Sequence, residues 1–218
     1  MSKTPILIAG FILGAFAAGG VGLVAVTQAL TKERIAANER EATLRTLREI
    51  IPHEDVGNDP LEDQILVSNS ELLGSATTRV FRVRSKGGRP LALVLDPVVP
   101  DGYAGPIKLL VSVLANGSLG GVRVLSDHET PGLGDRIELS KSNWVLDFDG
   151  KSLGNPPEDE WKVKRDGGVF DQFAGATITP RAVVKEVKRT LIYVRQQGAA
   201  LYERPAKSAP MRTKEDSP

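Results

Sequence analysis

The stretch 171–183, DQFAGATITPRAV, sets a small, flexible Ala174-Gly175-Ala176 run and two hydroxyls, Thr177 and Thr179, directly ahead of a helical pattern. Unpaired amides and the dipole at a helix N-terminus favour an anion, and phosphate is the natural ligand of such a turn. The same residues also suit a plain helix cap, with Thr179 as N-cap and Pro180 in the first helical position. The full glycine-rich and lysine pattern of a nucleotide-binding loop is absent from it. A second segment, 127–138, reads DHETPGLGDRIE. Here Gly132 and Gly134 let backbone approach a partner closely, and Glu129 and Thr130 offer polar contacts. A turn histidine at His128 and a helix-capping carboxylate at Glu129 are the structural alternatives.

Composition removes several other chemistries. The chain has 218 residues and no cysteine, which excludes disulfides, thiolate metal sites, iron–sulfur clusters and cysteine nucleophiles. With only two histidines, His53 and His128, no histidine-rich metal centre is expected. Lys and Arg number 28 against 27 Asp and Glu, a net charge of +1 that gives no electrostatic footprint for a nucleic-acid partner. No spacing among the acidic residues selects a catalytic pair, so catalytic residues of the chain's own are not expected.

The elements that must position the two segments follow from pattern. From position 5 to 26 the sequence PILIAGFILGAFAAGGVGLVAV carries no charge, and a bilayer core needs about 20 such residues in a helix. A cleaved signal peptide has a shorter apolar region, about 7 to 15 residues, so residues 1–30 are read as a retained single-span anchor. Gly10, Gly14, Ala18 and Gly22 recur every fourth residue, a stripe that lets another membrane helix approach. Residues 31–52 read as a charged connecting helix with Ile35, Leu44, Leu47 and Ile50 on its apolar positions, stopped at Pro52.

Residues 53–204 form the expected domain. Strand character appears at 64–67, 79–83 and 91–99, and Asn116-Gly117 between two apolar runs predicts a hairpin over 107–125. A short helix is expected over 135–144 and a short strand over 161–164. A final amphipathic helix begins near 180, with Val183, Val187, Leu191 and Val194 on one face. Residues 205–218 are polar and proline-bearing and read as a disordered tail. The fold class is α+β: one N-terminal transmembrane helix, then a small domain with an antiparallel sheet and flanking helices.

DQFAGAT resembles the flavinylation motif, Asp-x-x-(Ser/Thr)-Gly-Ala-Thr, of the FMN-binding domain in the G subunit of Rnf-type ion-translocating electron transport complexes. The related C subunit of the sodium-translocating NADH:quinone reductases carries the same motif. The resemblance implies one covalent FMN, esterified through its phosphate to Thr177, with Asp171, Gly175 and Ala176 at the other matched positions. Ala174 departs from the motif's Ser/Thr. DHETPGLG is similar to the family's His-x-Glu-Thr-Pro-Gly-Leu-Gly signature, which implies Glu129, Thr130, Leu133 and Gly134 beside the flavin, where glycine backbone lies close to a flat ring. Thr179 is the neighbouring hydroxyl at the same site.

The order of the two motifs and the single N-terminal span extend the resemblance over most of the chain. It further implies membrane and iron–sulfur partner subunits and electron transfer between a ferredoxin-type carrier and NADH, coupled to ion movement. Maturation by a separate flavin transferase and a bacterial inner-membrane location are implied as well. Lys3 before the span against Lys32, Arg34 and Arg40 after it would put the domain in the cytoplasm by charge counting. The resemblance implies the periplasmic side, and the motif is the more specific of the two signals. The C-type subunit is typically longer, which leaves it as the alternative within the family. A membrane-tethered assembly module without redox function is the alternative outside it.

Overall fold

The computed structural model describes residues 4–51 and 55–205. The chain divides into two compact units, Met1–Leu44 and Arg45–Pro218. Helix α1, Thr4–Ile50, is uninterrupted, so the apolar and charged stretches belong to one element. Its segment Gly10–Lys32 is long and apolar enough to cross a membrane. Phe11, Leu13, Phe16 and Leu23 are exposed there, an arrangement that lipid satisfies and water does not. The hydroxyls of Thr27 and Thr31 donate to the carbonyls of Leu23 and Thr27, each at 2.8 Å, so these side chains are satisfied within the helix. A Cβ added at Gly10, Gly14 or Gly22 would meet nothing within 4 Å, so the small-residue stripe is open. Pro52, the expected stop, and His53 lie outside the described residues, as does the tail beyond Pro205.

The second unit opens with the last turn of α1, whose Leu47 and Ile50 are buried. Strands β1 (Gln64–Val67), β2 (Thr78–Arg84), β3 (Pro90–Leu95), β4 (Val98–Val99), β5 (Ile107–Leu114) and β6 (Leu119–Ser126) make one sheet. Every ladder in it is antiparallel. The run expected as one strand over 91–99 is broken at Asp96-Pro97. Both halves still pair with β5, β3 through Leu95 opposite Val111 and β4 through Val98 opposite Lys108. Asp96 still donates its N–H to the Arg79 carbonyl at 3.2 Å, but its carboxylate takes the place of a strand carbonyl by accepting the Arg79 N–H and pairs with the guanidinium at 2.6 Å, and Pro97 has no N–H to offer. The β5–β6 hairpin forms where Asn116-Gly117 predicts it. Gly117 donates to the Leu114 carbonyl at 2.8 Å and takes φ 84°, the left-handed residue of a longer hairpin loop.

The short helix α2 (Ser70–Leu73), capped by Asn69 and closed by Gly74, is an element the sequence patterns did not suggest. Helix α3 (Ile178–Glu203) lies against one face of the sheet. Its Val183, Val187 and Leu191 enter a core with Leu109, Val111 and Val113 of β5, as the helical period predicts, and Val194 packs partly buried against that core. Burying each such side chain contributes roughly 1.5 to 3 kcal/mol. Further along α3, Tyr193 and Leu201 join Leu93 and Leu95 of β3. Arg82 of β2 locks the far end of the helix. It is 3% exposed, pairs with Asp63, and donates to the carbonyls of Leu201 at 3.2 Å and of Arg204. A cation there matches the negative end of the helix dipole.

Two local expectations differ from the structure. Residues 135–144 are not one helix: they run from one 3-10 turn, Gly134–Ile137, into the start of another, Asn143–Phe148, with non-helical residues 138–142 between. Ser142 divides them, because its hydroxyl donates to the Arg136 carbonyl at 2.6 Å and accepts from the Trp144 N–H. Residues 161–164 are not a strand, since only Val163 bridges to Phe170. Gly167, at φ 84°, and Gly168 fold the chain back at once, and the Gly168 N–H returns to the Val163 carbonyl.

Candidate functional site

Two loops and a helix end meet in a cleft of about 290 Å³ lined by Tyr103, Glu129, Thr130, Leu133, Gly134, Gly175, Ala176, Thr177, Ile178 and Thr179. The two segments singled out by sequence thus share one site, although about 40 residues separate them. Among the expected site residues, Asp171 alone is not on the wall of the cleft. Its side chain is exposed and pairs with Lys164 at 2.6 Å, and its contribution is backbone: its carbonyl accepts the indole N–H of Trp144 at 2.8 Å.

The 171–177 segment is held from beneath. Phe173 is buried and meets Trp144 edge-on with ring centroids 5.3 Å apart, while the guanidinium of Arg136 sits 5.0 Å from the Phe173 ring centre. Phe148 extends this cluster to Phe170 and Trp161. With Phe173 fixed, the chain turns tightly: the Ala176 N–H donates to the Phe173 carbonyl at 3.1 Å and Gly175 takes φ 81°. Only glycine adopts that region without strain, which accounts for its place before the helix.

Helix α3 then starts earlier than expected. Thr177, not Thr179, is its N-cap, and Thr177 makes no capping hydrogen bond with its side chain. Thr179 is fully buried inside the first turn, and its hydroxyl donates to Oε2 of Glu129 at 2.7 Å. The carboxylate draws Thr179 inward because the alternative is a buried carboxylate oxygen without a donor. The first amides of α3 have no partner within the helix, and Thr177, Ile178 and Thr179 at that end line the cleft.

Glu129 is therefore neither a surface residue nor a helix cap. It is 6% exposed, and its Oε1 accepts the Ala104 N–H at 3.2 Å. Gly134 makes this possible, since a Cβ there would lie 2.3 Å from Glu129 Oε2 and 3.0 Å from Thr179 Oγ1. Asp135 fixes the loop by accepting the Gly132 N–H at 2.7 Å, and the Leu133 N–H donates to the Thr130 carbonyl. His128 is exposed and does not line the cleft.

Two lining residues were missed by sequence reading, Tyr103 and Ile178. Both are exposed, as is Leu133, at 68%, 48% and 43%, so the mouth of the cleft is apolar. The signal for Ile178 was present as an apolar residue between two threonines. Tyr103 carried none, because only the fold brings residue 103 to residue 129.

The residues present fit a flavin mononucleotide. The uncommitted Thr177 hydroxyl and the start of α3 suit its phosphate, and Tyr103, Leu133 and Ile178 offer apolar surface to a ring. The volume stands at the small end of ligand pockets, which suits a ring left partly open to solvent.

Comparison with known proteins points to the same cofactor. Residues 1–50 match the RnfG N-terminal region and residues 102–192 match the FMN-binding domain. The chain is 53% identical over 182 residues to the G subunit of the ion-translocating oxidoreductase complex of Pseudomonas aeruginosa, covering 84% of this chain and 85% of that protein. It is 47% identical to the G subunit of the same complex from Vibrio cholerae over 196 residues, 90% of this chain and 93% of that one. The Shewanella loihica protein of the same name is also 47% identical, over 195 residues, 89% and 92% of the two chains. With a membrane-length helix, an FMN-binding domain and this similarity along nearly its whole length, the chain belongs to the family of G subunits of ion-translocating oxidoreductase complexes.

Proposed function

We propose that this protein is a membrane-tethered electron carrier in an ion-translocating oxidoreductase complex, with one FMN esterified through its phosphate to Thr177. The observation that carries the proposal is the Thr177 hydroxyl: it lines the cleft at the start of α3 and is not engaged in capping. When bound, the flavin supplies the electron-accepting and electron-donating chemistry. The chain's own residues hold it. The first amides of α3 would hold the phosphate, Glu129 and Gly134 would form a wall, and Leu133, Tyr103 and Ile178 would offer apolar surface to the ring. Attachment forms a bond from the Thr177 oxygen to a phosphorus of FAD and breaks the pyrophosphate link. AMP leaves and the hydroxyl proton is lost. A separate flavin transferase catalyses this step. An ester anchor suits a carrier, because the flavin cannot dissociate while its ring stays open to exchange.

By the family resemblance, electrons pass between a ferredoxin-type carrier and NADH through membrane and iron–sulfur subunits, coupled to ion movement. The flavin domain faces the periplasm of a bacterial inner membrane. Two experiments test these statements. In an SDS gel under ultraviolet light, the wild-type band, co-expressed with a flavin transferase, is expected to fluoresce and the Thr177→Ala band to be dark. A dark wild-type band defeats covalent attachment and favours a non-redox assembly module. Protease added to sealed spheroplasts is expected to digest the domain, and its protection there defeats the periplasmic placement.

A further inference from the structure

The wall of the cleft contains an unusual charge. The Glu129 carboxylate is 6% exposed, and its partners among the described residues are both neutral, the Ala104 N–H and the Thr179 hydroxyl. The glycine backbone at 134 packs closely against Oε2, where an added Cβ would come within 2.3 Å of it. A strut between three chain segments needs an acceptor for the Ala104 N–H and a group that can pair with the Thr179 hydroxyl in either direction, and an amide supplies both as well as a carboxylate does. The negative charge is therefore more than the scaffold requires, and it belongs to a residue that lines the cleft.

We propose, resting on the flavin reading above, that Glu129 sets the reduction potential of the flavin and holds it low. An electron delivered by the complex's reduced donor adds one negative charge to the cleft, and passing it to the oxidised acceptor removes that charge. No atom is gained or lost in this exchange. The carboxylate repels the extra charge, and its own burial leaves that repulsion less screened by water than at a surface carboxylate. Repulsion acts on the reduced state and not on the oxidised one, so the potential falls. Thr179 acts through Glu129: its hydroxyl donates to the carboxylate and neutralises part of the charge, which makes it a positioning residue. The same geometry explains why position 179 carries a hydroxyl although it does not cap the helix.

Glu129→Gln separates charge from scaffold. The glutamine oxygen can accept the Ala104 N–H while its amide group donates to the Thr179 hydroxyl, so both contacts survive. The measurement is a spectroelectrochemical titration of the full-length, detergent-solubilised protein, following flavin absorbance. Flavin attachment is checked in parallel by in-gel fluorescence, and free FMN is supplied where a band is dark. Glu129→Gln is expected to raise the one-electron midpoint, with a change on the order of tenfold in the reduction equilibrium, or about 59 mV. Thr179→Val, which leaves the carboxylate with one donor fewer, is expected to move it the opposite way. A midpoint unchanged or lowered in Glu129→Gln with flavin retained overturns the proposal. Should that variant fail to fold, an unchanged or raised midpoint in Thr179→Val does the same. A dark wild-type band that still titrates with free FMN defeats only the covalent linkage, whereas a wild type that holds no flavin in either form defeats both readings.

Discussion

Glu186 on α3 gives the most quantitative prediction. The side chain is 1% exposed, its Oε1 has no hydrogen-bond partner among the described residues, and its Oε2 lies 3.7 Å from the Arg189 guanidinium. Burial pushes its pKa up from an ordinary 4.5 to about 7, against the opposing pull of Arg189 and Lys185 and with a small push from Asp101. Between these two values the folded protein holds a proton that the unfolded chain releases, so stability falls as pH rises. The contribution is fully present below about pH 4.5 and is lost as pH passes about 7. At 1.36 kcal/mol per pKa unit it amounts to about 3 kcal/mol. Glu186→Gln is neutral at every pH and removes the slope. The assay is urea unfolding of the full-length protein in detergent, followed by fluorescence of Trp144 and Trp161, from about pH 5 to pH 8. The variant is expected to match wild type at the acid end and to exceed it increasingly toward pH 8. A difference between the two proteins that stays constant across that range refutes the reasoning.

Gly134→Ala is expected to push Glu129 off Thr179, costing about 2 kcal/mol of stability through the broken charge-assisted bond and lowering flavin content in the gel. Combining it with Glu129→Ala should recover part of that stability loss, measurable as non-additive denaturation midpoints. Arg82→Met removes the donors to the Leu201 and Arg204 carbonyls and one of the two arginines paired with Asp63, leaving Arg84 to hold Asp63 and the Tyr202 carbonyl, with an expected loss of about 3 kcal/mol in the same urea assay. Trp144→Phe removes the bond to the Asp171 carbonyl and is expected to cost about 1 kcal/mol and to slow flavin attachment under limiting transferase.

The architecture was legible where side chains repeat with a period. Strands β1 and β2, the β5–β6 hairpin and the buried face of α3 all carried alternation or helical spacing, and each appears within a residue or two of its expected place. The errors fall where hydrogen bonds of single polar residues decide the backbone. Ser142 splits one helix into two turns, Asp96 and Pro97 break one strand into two, and Gly167-Gly168 abolish another. Such effects depend on what lies opposite in space. The site shows the same division. Its two motifs were readable as residues, yet Tyr103 was invisible and Thr179 was given a capping role, because the Ala104–Glu129–Thr179 chain of bonds joins positions 25 and 50 apart.

That chain of bonds also bears on why two threonines stand two residues apart at the head of α3. Along a helix, residues two apart point in quite different directions, so the two hydroxyls cannot share one environment. Thr179 is drawn inward by Glu129 and is fully buried, which leaves it unable to meet an incoming phosphoryl donor. Thr177 is only partly buried and free of capping duty. Under the proposed attachment, the choice between two chemically identical hydroxyls is thus made by burial rather than by reactivity. Thr179→Val should leave in-gel flavin fluorescence in place, and in a Thr177→Ala protein Thr179 should not take over as acceptor. Fluorescence persisting in Thr177→Ala and vanishing only in the double variant Thr177→Ala, Thr179→Val would show that the buried hydroxyl can be reached, and would remove burial as the basis of selection.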